Sequence, residues 1–236
     1  MPSLSSGNIA KNLTQIQHNI SEFCEKYQRA PNTVQLLAVS KTQSAEKIRS
    51  AFDAGQTSFG ENYLQESLQK ITDLNDLNIE WHFIGAIQSN KTRELAQNFA
   101  WVHSVDRLKI AHRLSQQRPQ SLPALNICLQ VNISNEASKS GFQADEVAAA
   151  VDDVISLPNI KLRGLMAIPA KAGSFEEQRK IFSEMQGLLE SLKITHPQLD
   201  TLSMGMSNDM QAAIAQGSTI VRIGTAIFGA RDIVTG

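Results

Sequence analysis

Short apolar runs alternate with amphipathic segments along most of this chain. The alternation begins after residues 8–29, where apolar side chains recur at three- and four-residue spacing and predict an amphipathic helix. Each apolar run that follows leads into a helical pattern, as a strand followed by a helix would. The strand candidates are residues 36–40, 57–62, 81–86, 101–105, 125–132, 161–168, 201–205 and 219–229.

The number and composition of these runs favour a closed α/β barrel. Most are almost continuously apolar, which is typical of parallel strands that are covered on both faces. Eight strand–helix units in roughly 200 residues fit a (β/α)8 barrel near its lower size limit. A doubly wound open sheet is the competing architecture. The barrel is preferred because the count reaches eight and no G-x-G-x-x-G follows the first strand.

The chain is expected to form one domain over residues 1–236, with an additional N-terminal helix (1–32) ahead of a TIM barrel (33–236). Hydrophobic residues make up 42% and charged residues 19%, as in a soluble globular protein. A net charge of −1 provides no general attraction to nucleic acid or to anionic membranes, and no apolar run is long enough to span a bilayer. Any phosphate must therefore be bound by a few placed groups.

The two cysteines, Cys24 and Cys128, are far apart and lack metal-ligand spacing. Reduced thiols of a cytoplasmic protein are the expected state. The N-terminal residues show no charged region followed by an apolar run, so no signal peptide is predicted.

Lys41 is the most informative single residue. In a barrel, functional side chains collect at the carboxyl ends of the strands, and Lys41 directly follows the first one. Partial burial there would lower the pKa of the amine and free it to attack an aldehyde. The alternative is a lysine that extends along the rim and keeps its charge in water.

The segments around the seventh and eighth strands suggest an anion site. Ser207 is expected to open the helix after strand seven, where it is either an ordinary N-cap or part of an anion site. At the end of strand eight, Gly224 would let the backbone approach a ligand closely, and Thr225 adds a hydroxyl. Phosphate sites built from these two loops recur in barrels. Together with Lys41, they point to a phosphorylated aldehyde.

Arg222 lies two residues before Gly224 and so shares its face of the strand. An inward-facing arginine needs a partner, which is either a structural carboxylate or a ring nitrogen. His82 and His103 lie in strands without metal spacing and are expected to be hydrogen-bonded structural residues. Glu61 is expected to pair with a neighbouring cation.

At these residues the sequence resembles the pyridoxal phosphate homeostasis proteins of the YggS/PROSC type, over nearly the whole chain. Departures are minor: Ala86 and Ile87 stand where the family more often has Pro-Leu, and Ser44 where proline is common. The matching stretches are AVSKT (38–42), FGENYLQE (59–66), WHFIGAIQSNK (81–91), HSVDRLK (103–109), QVNISNEASKSGF (130–142), RGLMAI (163–168) and SMGMSNDMQAAIAQGSTIVRIGTAIFGAR (203–231).

The resemblance implies a pyridoxal 5′-phosphate (PLP) site in a fold-type III barrel, the barrel of bacterial alanine racemase without its second, β-rich domain. Lys41 would carry the cofactor as a Schiff base, Arg222 would face the pyridine nitrogen, and Asn62 would lie beside the ring. The phosphate would be held by Ser207, Gly224 and Thr225.

Two classes of function are compatible with such a site. One is a carrier that buffers or delivers PLP without strong catalysis of its own, with PLP-dependent apo-enzymes as partners. The other is an amino-acid racemase or another PLP-dependent enzyme. The carrier is preferred for two reasons. An arginine at the ring nitrogen would keep that nitrogen unprotonated, which makes the ring a poorer electron sink. A barrel without a second domain also leaves the cofactor open to water. A racemase also needs a second acid/base, and neither Tyr27 nor Tyr63 is an obvious candidate. A cytoplasmic monomer is expected.

Overall fold

The structure, a computed structural model, describes residues 6–30, 32–134, 140–170 and 172–229. The strands are β1 (Gln35–Val39), β2 (Ser58–Glu61), β3 (Glu80–Phe83), β4 (Trp101–Val105), β5 (Leu125–Gln130), β6 (Ile160–Met166), β7 (Thr201–Ser203) and β8 (Ile220–Ile223). The helices are α1 (Ser6–Lys26), α2 (Ala45–Asp53), α3 (Leu64–Asp73), α4 (Thr92–Asn98), α5 (Leu108–Gln117), α6 (Val147–Ile155), α7 (Phe175–Lys193), α8 (Met210–Ala215) and α9 (Thr225–Phe228), with a 3₁₀ turn at Ser89–Lys91.

Within these described ranges, eight parallel strands close into a barrel in chain order. β1 pairs with β2 on one side and with β8 on the other, so that Ala38 lies opposite Phe59 and also opposite Ile223. This closure confirms the predicted (β/α)8 barrel and excludes the open doubly wound sheet. All strands are parallel, and their carboxyl ends therefore meet at one rim, called here the barrel mouth.

The N-terminal helix packs on the outside of the barrel. Its apolar face buries Ile9, Leu13 and Ile16 in the main core cluster, and α1 contacts α2, α8 and α9. Asn12 Nδ2 donates a 2.8 Å hydrogen bond to the carbonyl of Ile227 at the far end of the chain. The helix ends at Lys26, earlier than the predicted residue 29.

Two sequence-based predictions near the seventh and eighth strands were wrong: the end of the eighth strand and the start of the helix after the seventh. Residues 219–229 form a strand only over Ile220–Ile223, after which the chain turns at Gly224 into the short helix α9. A short apolar run has no periodicity that distinguishes strand from helix. The helix after β7 begins at Met210, with Asp209 rather than Ser207 at the cap position. Ser207 lies in the preceding turn.

Two further features bear on function. Cys24 and Cys128 are both buried and free, and burial raises the pKa of the Cys128 thiol to about 12. No helix among the described residues is long and apolar enough to cross a membrane.

A cavity of about 750 Å3 opens at the end of the barrel opposite the mouth. It lies between α1 and the first residues of β1 and β2, and its lining includes Cys24, Arg29, Gln35 and Ser58. None of the described residues that line it is a predicted cofactor contact. The cavity therefore belongs to the helix–barrel junction.

Candidate functional site at the barrel mouth

The structure places the six predicted site residues at or just below the barrel mouth. Most of them lie within or directly after β1, β2 and β8, and these strands are neighbours because β1 lies between the other two. The six are Lys41 after β1, Asn62 after β2, Ser207 in the turn after β7, Arg222 inside β8, and Gly224 and Thr225 directly after β8.

A buried polar network fixes the backbone on the amino-terminal side of Lys41. Ser40 Oγ donates to Glu61 Oε1 at 2.6 Å, and both residues are fully buried. Lys70 Nζ donates to the same carboxylate oxygen at 2.9 Å and to the Ser40 carbonyl at 2.8 Å. The expected pairing of Glu61 with a cation is thus confirmed. Burial raises the pKa of Glu61, although Lys70 and Ser40 oppose the shift.

The same network holds the residue after Lys41. Thr42 has a φ of 62°, an uncommon conformation for a residue with a Cβ atom. Its backbone N–H donates to Glu66 Oε1 at 2.6 Å, and Lys70 Nζ donates to the same oxygen. Lys70 therefore joins the two carboxylates that bond to the residues on either side of Lys41. The strained turn is stabilised by contacts from β2 and α3.

The Lys41 side chain is partly buried, and its amine has no hydrogen bond or ion pair with any of the described residues. Its backbone is thus fixed while its nitrogen stays available. An amine in this state can react with a carbonyl group that enters the mouth.

Asn62 is positioned by the glycine that follows the neighbouring strand. A Cβ atom on Gly85 would lie 2.1 Å from the Asn62 carbonyl oxygen and 2.8 Å from its Oδ1. Only a residue without a side chain permits this approach. The loops after β2 and β3 are therefore packed backbone to backbone, and Asn62 is held beside the loop of Lys41.

Small and polar residues line the side of the mouth formed by β7 and β8. Gly224 packs against β1, where a Cβ atom would lie 3.0 Å from the Val39 carbonyl oxygen. Ser207 and Thr225 are exposed, and the first N–H groups of α9 have no partner within that helix. These hydroxyl and amide donors can bind an anion.

Arg222 is buried, and its guanidinium reaches across the barrel interior. Nη1 donates to the Ser203 carbonyl at 2.6 Å and to Ser203 Oγ at 2.8 Å, and Nη2 donates to the Ala167 carbonyl at 2.9 Å. These bonds use three of its five N–H donors, and no described residue accepts from the other two. Burial lowers the pKa of Arg222 to about 10, partly offset by Asp209 and Cys128, so it stays charged at neutral pH.

Sequence reasoning missed the residues that support this site. Glu66 and Lys70 are four residues apart in a predicted helix, which is a recognisable ion-pair spacing, but nothing in the sequence connected them to Lys41. Ser203 is a polar residue inside a buried strand. That unusual position was the available signal for a hydrogen-bonding role.

Comparison with known proteins identifies the family. Residues 12–232 match the model of the alanine racemase N-terminal domain. The chain is 56% identical over 224 residues to the pyridoxal phosphate homeostasis protein of Pseudomonas aeruginosa, covering 95% of this chain and 96% of that protein. It is 53% identical over 231 residues to the protein of the same name from Escherichia coli K12, covering 95% and 97%.

Solved structures agree with this assignment. PipY of Synechococcus elongatus PCC7942 has been solved in two states. The structure without PLP aligns at 36% identity and a TM-score of 0.83, and the structure with PLP bound at 35% and 0.81. Each alignment covers 94% of this chain and all of PipY. Alanine racemase of Clostridium difficile, at 15% identity and a TM-score of 0.75, shares the fold over 95% of this chain and 57% of the racemase. The chain belongs to the pyridoxal phosphate homeostasis protein family, whose barrel is that of the alanine racemase N-terminal domain.

Proposed function

We propose that this protein binds PLP as a Schiff base on Lys41 and acts in PLP homeostasis, by buffering or delivering the cofactor. The observation that carries the proposal is the Lys41 amine, which is unpartnered among the described residues while Ser40 and Thr42 on either side of it are held by a buried network. Relatives that share more than half of this sequence carry the homeostasis name, and a structural neighbour was solved with PLP bound.

The donor set around Lys41 fits PLP. Lys41 Nζ would bond to the aldehyde carbon, and one water molecule would leave with the aldehyde oxygen. Ser207, Thr225 and the backbone at Gly224 would hold the phosphate, and Asn62 would lie beside the ring. When bound, the cofactor supplies an electron-withdrawing ring.

Arg222 would complete the site with its two remaining N–H donors. A pyridine nitrogen without a proton accepts a hydrogen bond, whereas a protonated one would place a second cation against the guanidinium. Arg222 would therefore keep the ring nitrogen unprotonated. A neutral ring withdraws electrons less strongly, which favours holding the cofactor over catalysis on amino acids.

The tyrosines also favour a carrier. Tyr27 Oη accepts a hydrogen bond from Gln211 on the outer face of the barrel, and Tyr63 is 51% exposed. The Tyr27 hydroxyl is thus bonded outside the barrel, and the exposed Tyr63 lacks the burial that tunes a catalytic acid or base. Incubation with single L-amino acids in deuterated water tests the point. Exchange of the α-proton at turnover rates would establish the racemase-type alternative instead.

Absorbance spectroscopy tests the binding site. The protein loaded with PLP is expected to show a visible band, which Lys41→Ala abolishes and which borohydride converts to a label on Lys41. Lys91→Ala is the matched control, because Lys91 follows β3 at the same rim but forms an ion pair with Glu94. A band that survives in Lys41→Ala, with the label on another lysine, would contradict the assignment.

The proposal extends to the setting of the protein. Two free, buried cysteines are compatible with a reducing cytoplasm. We further propose a monomer of one domain that passes PLP to apo-enzymes. Sedimentation of the purified protein tests the first part. Recovery of activity by an apo-enzyme mixed with the loaded protein tests the second, with the Lys41→Ala protein as the control.

A further inference from the structure

A continuous line of hydrogen bonds crosses the barrel interior and ends at Arg222. It starts at Glu80, the first residue of β3, whose side chain is 43% exposed at the end opposite the mouth. Glu80 Oε1 lies 2.8 Å from His82 Nε2, and His82 Nδ1 lies 2.9 Å from His103 Nε2. His103 Nδ1 lies 2.7 Å from Ser203 Oγ, which accepts from Arg222 Nη1 at 2.8 Å.

When both imidazoles are neutral, only one arrangement of protons fits a carboxylate at one end and a guanidinium at the other. Glu80 can only accept, so His82 donates from Nε2 and must accept at Nδ1. His103 then donates from Nε2 and accepts at Nδ1 from the Ser203 hydroxyl, whose oxygen accepts from Arg222. Every bond therefore points from the arginine toward the carboxylate.

The surroundings of the two histidines support this neutral arrangement. Both rings are fully buried, and burial lowers the pKa of each; His82 and Arg222 add to the shift at His103. The hydrogen bond from His82 is in turn the main reason that the pKa of Glu80 is lowered. Trp101 stacks on His82 with ring centroids 5.4 Å apart and planes 5° from parallel. This stacking restricts rotation of the His82 ring, which keeps its two nitrogens facing Glu80 and His103.

We propose that Glu80, His82, His103 and Ser203 act as positioning residues that hold the free N–H donors of Arg222 toward the ring nitrogen of the bound cofactor. This inference rests on the proposed function. Ser203 occupies both Nη1–H groups, one with its carbonyl and one with its hydroxyl, and thereby fixes the rotation of the guanidinium. The hydroxyl is itself oriented by His103, and through it by His82 and Glu80.

The binding test compares PLP with its 1-deaza analogue, which has C–H in place of the ring nitrogen. The unmodified protein is expected to prefer PLP, because only PLP accepts from Arg222. Ser203→Ala should lower that preference about tenfold, as expected for loss of one hydrogen bond to a charged group. Thr201→Val is the matched control, since it removes a buried hydroxyl of the same strand whose one bond to the described residues is with Asp200. An unchanged preference in Ser203→Ala would overturn the inference.

A second test needs no cofactor and uses the partly exposed end of the line. Nitrogen NMR of the imidazoles should show a single Nε2–H form for both His82 and His103. In Glu80→Gln, the carboxylate, which only accepts, is replaced by an amide, which can also donate. The hydrogen bonds of the line can then point in either direction. A second tautomer is then expected at His103 as well as at His82.

The two tests separate the inference from the proposed function. If the hydrogen bonds of the line were independent of one another, Glu80→Gln would change the tautomer of His82 alone. That result would overturn the inference that the bonds are coupled. If the unmodified protein failed to bind PLP, the proposed function would fail, while the NMR result would still report on the line itself. Far-UV circular dichroism of each variant establishes that it is folded.

Discussion

A Cβ atom on Gly85 would overlap the carbonyl oxygen of Asn62, at a separation of 2.1 Å. Gly85→Ala must therefore push apart the loops that follow β2 and β3. We expect a loss of stability of about 2 kcal/mol or more, as for other overpacked sites, together with weaker PLP binding because Asn62 moves. Urea unfolding and absorbance titration measure the two effects.

Gly187→Ala provides the control for that substitution. Gly187 lies inside α7, and a Cβ atom there would meet nothing within 4 Å. Alanine is expected to stabilise the protein by about 0.5–1 kcal/mol, because glycine is unfavourable in a helix. Equal behaviour of the two variants would contradict a specific role for the close contact at Asn62.

Thr225→Val tests the phosphate side of the mouth. The variant should bind PLP about tenfold more weakly, since a hydroxyl that donates to a charged phosphate is lost. Binding of pyridoxal, which lacks the phosphate, should not change. Thr72→Val is the control, because Thr72 is exposed on α3 and its hydroxyl donates to the Leu68 carbonyl. If both ligands weakened equally, Thr225 would act on the fold and not on the phosphate.

Lys70→Met tests the network beneath Lys41. The change leaves the fully buried Glu61 without its cation, and the expected cost is about 3–5 kcal/mol in the free energy of unfolding. The double variant with Glu61→Gln should recover part of that loss, because no buried charge is then left unpaired. Lys193→Met removes a partly exposed lysine that pairs with Glu190 and should have little effect. A double variant no more stable than Lys70→Met would argue against the charge as the cause.

Stability should fall as the pH drops below about 6.5. The pKa values of His82 and His103 are lowered from 6.5 in the folded protein by burial, so the unfolded chain binds protons that the folded one does not. Each such proton changes the free energy of unfolding by about 1.4 kcal/mol per pH unit. Urea unfolding between pH 5 and 8 measures the slope.

Replacement of one histidine separates this effect from other acid-sensitive groups. His103→Gln should remove about one proton from the slope. An equal slope in His103→Gln and in the unmodified protein would contradict the origin assigned here.

The fold was predictable because its signals are local and repeated. Near-continuous apolar runs such as residues 101–105, each followed by a helical pattern, recur until the count itself specifies a barrel. The boundary at Gly224 was not predictable in this way. An apolar run that crosses the barrel mouth has the same composition before and after the turn, and only the closure against Val39 determines where the strand ends.

The positions of Lys41 and Arg222 at the barrel mouth were predictable, but the residues that support them were not. Lys41 and Arg222 stand out in the sequence because a cation beside or inside a buried strand is unfavourable unless it has a partner or a functional role. The line from Glu80 to Ser203 joins residues of three strands that are up to about 120 positions apart in sequence, and no spacing rule connects them. The division into a helix up to residue 32 and a barrel from residue 33 stays a prediction.

The position of α1 has a consequence for how the chain folds during synthesis. Besides α2, it contacts parts of the chain that are made much later: Asn12 bonds to the Ile227 carbonyl, and Arg29 just after the helix bonds to the carbonyls of Ile214 and Ser218. β1 likewise has to wait for β8 before its second edge is paired. A growing chain therefore keeps part of the apolar face of α1 exposed until α8, β8 and α9 have left the ribosome, and a chain that lacks these elements would be prone to aggregation.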